Sequence, residues 1–527
     1  MTADRDKYVL AIDLGTGGPK VALISVHGEI AGHEVERTAL SLLPNGGAEQ
    51  DPDDWWRAIS TAATRLLARG LVPPGDIVAI ACTAQWMGTV AVGGDGRPLM
   101  NAIIWMDTRG AKQAQRITRG LVNIAGYGPT KLYRWLRLTG GVPSRTGKDS
   151  IGHILYVQHE LPEVYRQTST FLEPIDYLNF RLTGRAVASY DTIAGHWLTD
   201  NRDLRRVRYV DGLVRLSGID REKLPELVPT GTVIGTITPE IAREFGLNES
   251  VQVVTGTPDT ASAAVGSGAV RNFEPHLYIG TSSWLTCHVP FKRTDVIHSI
   301  TTLPSAIPGR SRVATEQDTA GACLIALRDQ LFAGGEGSAA SAPDDAFDEF
   351  NRAAQRVPPG SDKLIFTPWL NGERTPVEDH LVRGGFFNLS LSSTRGHLIR
   401  AVFEGVAYNT RWMLETVERF VKRRLEPINF IGGGAKSNLW AQVHADVLDR
   451  RVRQMNEPRL ANVRGAACAA SVALGHITFE QVPGLVEITA EYEPDPANRT
   501  IYDELYAEFL QIYRNNRRMY ARLNAGT

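Results

Sequence analysis

The chain has 527 residues, 57 basic and 58 acidic side chains, a formal net charge of -1 and a hydrophobic share of 43%. That length exceeds what one core usually supports, so two domains are expected, and the balanced charge argues against a general binder of nucleic acid or acidic membranes. Cys82, Cys287, Cys323 and Cys468 lie far apart with no CxxC pair, which argues against a zinc or redox motif and predicts buried reduced thiols.

The N-terminus has no signal-peptide pattern and no apolar run is long enough for a bilayer, so a cytoplasmic location is the expectation. Tyr8 to Leu14 reads as an apolar strand, Gly15-Thr16-Gly17-Gly18 as a turn, Val21 to Val26 as a second strand and Ile30 to Arg37 as a third. Asp51 suits a helix N-cap and Pro52 the first helical position, and the helix should end at Gly70. Ile77 to Thr83 is a buried strand leading into Ala84-Gln85-Trp86-Met87-Gly88. Strands and helices alternate from there, which predicts an α/β class.

Val251 to Val254 is another apolar strand, followed by Gly256-Thr257-Pro258-Asp259 and a small-residue helix. Leu277 to Thr286 repeats the opening theme of strand, Gly-Thr turn and strand, which suggests two related domains. Residues 334–345, rich in Gly, Ser and Ala, read as a surface loop. Ile428 to Ile431 is a strand that runs through Gly432-Gly433-Gly434-Ala435-Lys436-Ser437 into a helix from Asn438 to Arg450, and Gly465-Ala466-Ala467 reads as opening another. Lys422-Arg423-Arg424 reads as a solvated helix end, and Asn498 to Asn524 as a C-terminal helix.

The chain lacks a Walker A motif and a Rossmann glycine fingerprint. A nucleotide would have to be held otherwise. Two tight Gly-Thr turns expose backbone N–H groups beside a hydroxyl, and such groups can cradle phosphate oxygens from both sides of a cleft. Asp13, just before the first turn, is a candidate Mg²⁺ holder through water. The glycine loop after Ile431 offers a flat backbone surface for adenine and ribose. Asp259, at a strand end and a helix start, is a candidate general base for phosphoryl transfer to an alcohol. Each feature also has a plain reading: an ordinary hairpin turn, a turn-forming Asp, a strand-to-helix turn and a helix N-cap.

Together the segments resemble the FGGY family of carbohydrate kinases, most closely its xylulokinase-like members, over nearly the whole chain in order. The resemblance rests on Asp13-Leu14-Gly15-Thr16, Gln50-Asp51-Pro52-Asp53-Asp54-Trp55-Trp56, Trp105-Met106-Asp107-Thr108-Arg109, Pro174-Ile175-Asp176-Tyr177-Leu178, Asn371-Gly372-Glu373-Arg374-Thr375-Pro376, and the Gly432 to Ser437 loop. It implies two actin-like (ribonuclease-H-like) domains, 1–268 with the sugar site and 269–527 with the adenosine site, flanking a catalytic cleft that closes on substrate. It implies Asp259 as general base, ATP and Mg²⁺ as cofactors, Asp13 (through water) and Asp259 as metal holders, a small sugar or polyol as substrate, and a homodimer as the common state. The substrate side would be Gln85, Trp86, Met87, Trp105, Asp107 and Asp259. The ATP side would be Gly15, Thr16, Gly17, Gly18, Gly280, Thr281, Ser282, Gly433, Gly434, Ala435 and Asn438. A pentulose such as xylulose is the leading acceptor, with another ketose or polyol, or a catalytically silent sugar sensor on the same fold, as alternatives. Four departures stand out: Trp86-Met87 replaces a Met-His pair that contacts the sugar, Ile175 replaces a lysine, Pro258 a glycine and Asn388 a glycine.

Overall fold

The computed structural model describes residues 7–332 and 346–525. The expected loop at 334–345 falls outside the described residues. Two twisted sheets organise the chain. In the first lobe β1 (Tyr8–Gly15), β2 (Gly18–Ser25) and β3 (Ile30–Val35) form an antiparallel meander, followed by α1 (Pro52–Ala68) and β4 (Ile77–Ala84). The helix α2 (Pro174–Thr183), the strands β5 (Val233–Thr236) and β6 (Gln252–Pro258) and the helix α3 (Asp259–Gly266) complete the part that matters for the site. The strand order is β5-β6-β4-β1-β2-β3. β1 pairs antiparallel with β2 and parallel with β4, which pairs parallel with β6.

The second lobe repeats this plan. Its elements are β7 (Pro275–Ile279), β8 (Ser283–Val289), β9 (Thr294–Asp295), β10 (Ile300–Pro304), β11 (Ser311–Ala314), α4 (Gly321–Ala326), α5 (Arg395–Val421), β12 (Ile428–Ile431), α6 (Asn438–Leu448), β13 (Val452–Met455), α7 (Ala461–Ala473), β14 (Ile488–Tyr492) and α8 (Arg499–Leu523). The sheet runs β9-β10-β11-β8-β7-β12-β13-β14, with β7 antiparallel to β8 and parallel to β12. This duplicated hairpin-plus-parallel plan is the actin-like fold expected above.

Local chemistry explains the elements. Asp51 caps α1 by accepting from the Asp53 N–H, and Pro52 follows it. Trp55, Ile59, Ala63 and Leu66 of α1 fall on one face and pack on Leu10, Ile12, Val21 and Leu23 of the sheet. In the second lobe Phe403, Val406 and Val417 of α5 cover Leu277, Ile279 and Leu285. The four cysteines are buried and free. Among the described residues no helix is long and apolar enough to cross a membrane.

Two small-residue helices tie the lobes together. Ala466, Ala467 and Ala470 of α7 pack on Val9, Ala11, Ala22 and Ala81 of the first sheet. Ala261 and Val265 of α3 pack with Trp284 and Ile431 of the second. The helices cross so closely that a Cβ at Gly465 would lie 1.9 Å from the Ser262 carbonyl oxygen, and one at Gly266 1.7 Å from that of Ala461. The sequence set Gly465 at a helix start, where it could serve close helix packing or approach to the nucleotide; it lies within α7, and its missing side chain serves the packing.

Candidate active site

The first Gly-Thr turn joins β1 to β2, with Gly15 paired to Gly18. Gly18 has φ +128, and a Cβ there would lie 2.2 Å from the Glu36 carbonyl oxygen, so only glycine lets β3 run this close. Thr16 sits at the tip. Its hydroxyl donates to Gln85 Oε1 at 2.9 Å and accepts from Trp105 Nε1 at 3.0 Å. Gln85 Nε2 donates to Gln50 Oε1, and Gln50 Nε2 donates to the Thr16 carbonyl. Three expected site residues, Thr16, Gln85 and Trp105, thus form one hydrogen-bonded unit with Gln50.

Asp13 lies on β1 directly opposite Lys20 on β2. Lys20 Nζ is 2.8 Å from Asp13 Oδ2, while Asp13 Oδ1 is buried without a hydrogen-bond partner. Burial pulls the Lys20 pKa down, but Asp13 outweighs it and the net direction is up. The free, hard oxygen at Asp13 Oδ1 suits a hydrated magnesium ion. Lys20 was missed in the sequence, although a lysine amid the apolar residues of β2 was a signal.

Asp259 is the first residue of α3, with Pro258 at the N-cap. Its Oδ1 accepts from the Thr260 N–H at 2.7 Å, and the residue is half-buried. Burial, with the Asp13 carboxylate nearby, pushes its pKa to about 7; Glu316 adds to the rise, and Arg312 opposes it. Arg312, on β11, is 3% exposed. The Tyr278 phenol, two residues before the second turn, is raised by burial and feels the charges of Lys20, Asp13 and Asp259. The catalytic candidates of the first lobe therefore face the second.

The second turn, Gly280-Thr281-Ser282, joins β7 to β8. The Ala320 and Ala322 N–H groups donate to the Thr281 carbonyl, and the Gly321 N–H to that of Gly280, which seats the start of α4 on the turn. The loop after β12 lies beside it, where a Cβ at Gly432 would come within 2.5 Å of the Ile279 carbonyl oxygen. Gly433 faces open space. Gln454 Nε2 donates to the Ala435 carbonyl at 2.6 Å and to Asn438 Oδ1 at 3.1 Å, fixing the loop and the first turn of α6. Gly432 and Gly434 thus pack against Ile279, the residue directly before Gly280.

The acceptor side is set by the loop after β4. Trp86 Nε1 donates to the Thr192 carbonyl at 2.9 Å, and Met87 packs so closely on Gly195 that a Cβ there would lie 2.6 Å from Met87 Cγ. The Gly88 N–H donates to Glu173, whose other oxygen accepts from Ser150. Asp107 Oδ2 accepts from the Ala48 N–H and the Arg109 side chain and Oδ1 from the Arg109 N–H, so its carboxylate orders the loop that carries Trp105. Of the other departures, Ile175 is buried against the backbone near Gly256, and Asn388 holds φ +66, a conformation asparagine tolerates.

The N-terminal domain model of the FGGY family of carbohydrate kinases matches residues 8–266, and the C-terminal domain model matches residues 279–474. Xylulose kinase of Bacillus subtilis is 28% identical over 523 residues, covering 97% of each chain. Gluconokinase of the same organism is 26% identical over 513 residues, covering 96% of each. The solved xylulose kinase from Rhodospirillum rubrum superposes with a TM-score of 0.80 at 26% identity, covering 98% of this chain and 100% of that one.

Proposed function

The chain belongs to the FGGY family of carbohydrate kinases, and from that premise we propose that it transfers the terminal phosphoryl group of ATP to a hydroxyl of a small pentulose such as xylulose. The observation that carries this reading is the position of Asp259: a half-buried carboxyl directly after Pro258, which pairs with Ala84 of β4 as Leu14 of β1 does, so that it sits beside Asp13, and burial with the Asp13 charge pushes its pKa up to about 7. A carboxyl tuned there is ionised enough at neutral pH to take a proton from an alcohol, yet basic enough to hold it.

In this reading Asp259 orients the attacking hydroxyl and accepts its proton as the oxygen–phosphorus bond forms and the bond to the leaving ADP breaks. Lys20, kept charged by Asp13, stands at the first turn where charge gathers on the phosphoryl oxygens. The N–H groups of both Gly-Thr turns would add donors from opposite lobes. Asp13 would hold magnesium through water, and the bound ion would offset phosphate charge. Gly433, Gly434, Ala435 and Asn438 would take the adenosine. In this reading the first lobe, to about residue 268, supplies most of the acceptor site and the second lobe the adenosine site.

Trp86 and Met87 motivate a second acceptor reading. They present an indole and a thioether on the acceptor side, and the relatives above include both a xylulose kinase and a gluconokinase. An ADP-release assay with Mg-ATP against D-xylulose, L-xylulose, D- and L-ribulose, D-gluconate, glycerol, erythritol, ribitol, xylitol and arabinitol decides between them. Highest kcat/KM with D-xylulose supports the first reading. A different winner moves the substrate assignment, and no turnover with any acceptor overturns the kinase mechanism drawn here.

A further inference from the structure

A second set of charged groups lies beside the reacting centre and is not used by the mechanism above. Asp318 directly follows Gln317, whose backbone pairs in both directions with Ser283 at the end of the second Gly-Thr turn. That pairing fixes Asp318 next to the turn. Its side chain is 2% exposed, and neither carboxylate oxygen has a hydrogen-bond partner. The nearest cation, Arg374 Nε, is 3.7 Å from Oδ1, beyond hydrogen-bond reach, because Arg374 spends its Nη1 on Glu316. The Asp318 backbone N–H donates to Glu373 Oε1, which holds the backbone of this residue in place.

Lys148 belongs to the other lobe. It precedes Asp149 and Ser150, and Ser150 shares Glu173 with the Gly88 N–H, so Lys148 adjoins the Trp86-Met87 loop. The same stretch of the first lobe is docked on the second: Thr301 Oγ1 donates to the Gly140 carbonyl and Lys292 Nζ to that of Leu138, while Thr375 donates to the Ser299 carbonyl just beyond. Lys148 is half-buried, no ion pair within 4.0 Å involves it among the described residues, and the charges it feels are those of Arg374, Asp318, Glu316 and Glu378. Burial pulls its pKa down.

A buried carboxylate without donors is unfavourable unless something polar fills the space beside it, and Lys148 is the charge that the opposite lobe brings near it. We propose that Lys148 and Asp318, from opposite lobes, form the far end of the acceptor pocket and bind neighbouring hydroxyls of the sugar or polyol remote from the one that is phosphorylated. A carboxylate with both oxygens free accepts from two adjacent hydroxyls at once, and the ammonium donates to a hydroxyl or carbonyl oxygen. This assignment rests on the kinase reading. It also gives a reason for long acceptors to be preferred over short ones, since the two remaining hydroxyls of a three-carbon polyol engaged at Asp259 lie within two carbons of the reacting one and do not extend to a remote end of the pocket.

The test uses the full-length protein and the acceptor with the highest kcat/KM on the panel. Acceptor binding is measured by titration calorimetry, and kcat/KM for that acceptor and for glycerol is measured alongside. Asp318→Asn and Lys148→Met are each expected to weaken acceptor binding at least tenfold and to lower the ratio of long-acceptor to glycerol kcat/KM by a similar factor, with ADP binding retained. Unchanged acceptor affinity in both variants, with an active wild-type protein, overturns the assignment and leaves the kinase reading standing. So does an equal loss for glycerol and the long acceptor, which marks a merely structural role. If one variant does not fold, the other decides. A wild-type protein that turns over no acceptor overturns the kinase mechanism and this pocket together.

Discussion

The Thr16 hydroxyl is shared between Gln85 Oε1 at 2.9 Å and Trp105 Nε1 at 3.0 Å, so the tip of the first Gly-Thr turn is bonded to the acceptor side of the same lobe. The hydroxyl donates once and accepts once, and Gln85 in turn holds Gln50. Thr16→Val keeps the shape but strands a buried amide oxygen and an indole N–H, at a cost of about 1–3 kcal/mol each. The variant should unfold at lower temperature and show raised KM for both ATP and sugar. A double-mutant cycle with Gln85→Met on kcat/KM should give an interaction energy of about 0.5–3 kcal/mol, as for residues of one hydrogen-bond network. Strict additivity would mean that the turn and the acceptor loop act independently.

Asp259 sets the pH dependence. Only its ionised form accepts a proton, so kcat/KM for the sugar should rise below about pH 7 and level off above it. Arg312 favours the ionised form, so Arg312→Gln should move the rising limb to higher pH. Asp259→Asn should lower kcat by roughly 10²- to 10⁴-fold while ADP still binds. The sign for stability is opposite. A folded pKa raised above the unfolded value of about 3.9 makes a contribution that is present below that value and lost as pH rises through about 7. The thermal midpoint of Asp259→Asn should therefore exceed that of the wild type by more at pH 8 than at pH 5. A pH-independent difference would count against a buried titrating carboxyl.

Much of this site could be read in the sequence because it is local. Asp13, the Gly-Thr turns and the glycine loop are contiguous strings whose backbone demands are visible in the residues. What could not be read arises from pairing between distant segments. The bonds of Asp107 to Arg109 and the Ala48 N–H, which order the loop that carries Trp105, could not be read from its motif. Nothing in the local sequence singles out Asp318; the Ser283–Gln317 pairing sets it beside the second turn. Lys20 is intermediate, since its partner Asp13 lies only across the hairpin. Strand limits shifted by a few residues for the same reason: β6 runs to Pro258 because β4 pairs with it that far.

Trp86 and Met87 should control which acceptor is used. Trp86 is pinned through its indole N–H to the Thr192 carbonyl, and Met87 fills the space over Gly195. Met87→His replaces a thioether by a group that can donate and accept. Relative kcat/KM between ketoses and reduced polyols on the panel should change by about 10-fold or more, the scale expected when a polar contact is gained in a pocket. KM for ATP should stay near that of the wild type. A uniform loss for every acceptor would instead mean that the loop has been displaced.

The crossing of α3 and α7 links packing to chemistry, because α3 begins with Asp259. A Cβ at Gly465 would lie 1.9 Å from the Ser262 carbonyl oxygen and 2.9 Å from Ser262 Oγ, and the near contact is backbone that cannot rotate aside. Gly465→Ala must therefore separate the helices, at a cost of about 1–3 kcal/mol or more by the measure of overpacked cores. Moving α3 carries Asp259 with it, and a shift of about 1 Å at a reacting group is enough to cost some 10²-fold in rate. Thermal unfolding and kcat should fall together in Gly465→Ala. An alanine at Gly433, which faces open space, should leave the thermal midpoint close to that of the wild type and change only nucleotide binding. If Gly465→Ala loses stability but keeps kcat, the position of Asp259 is set by β6 alone and not by the helix crossing behind it.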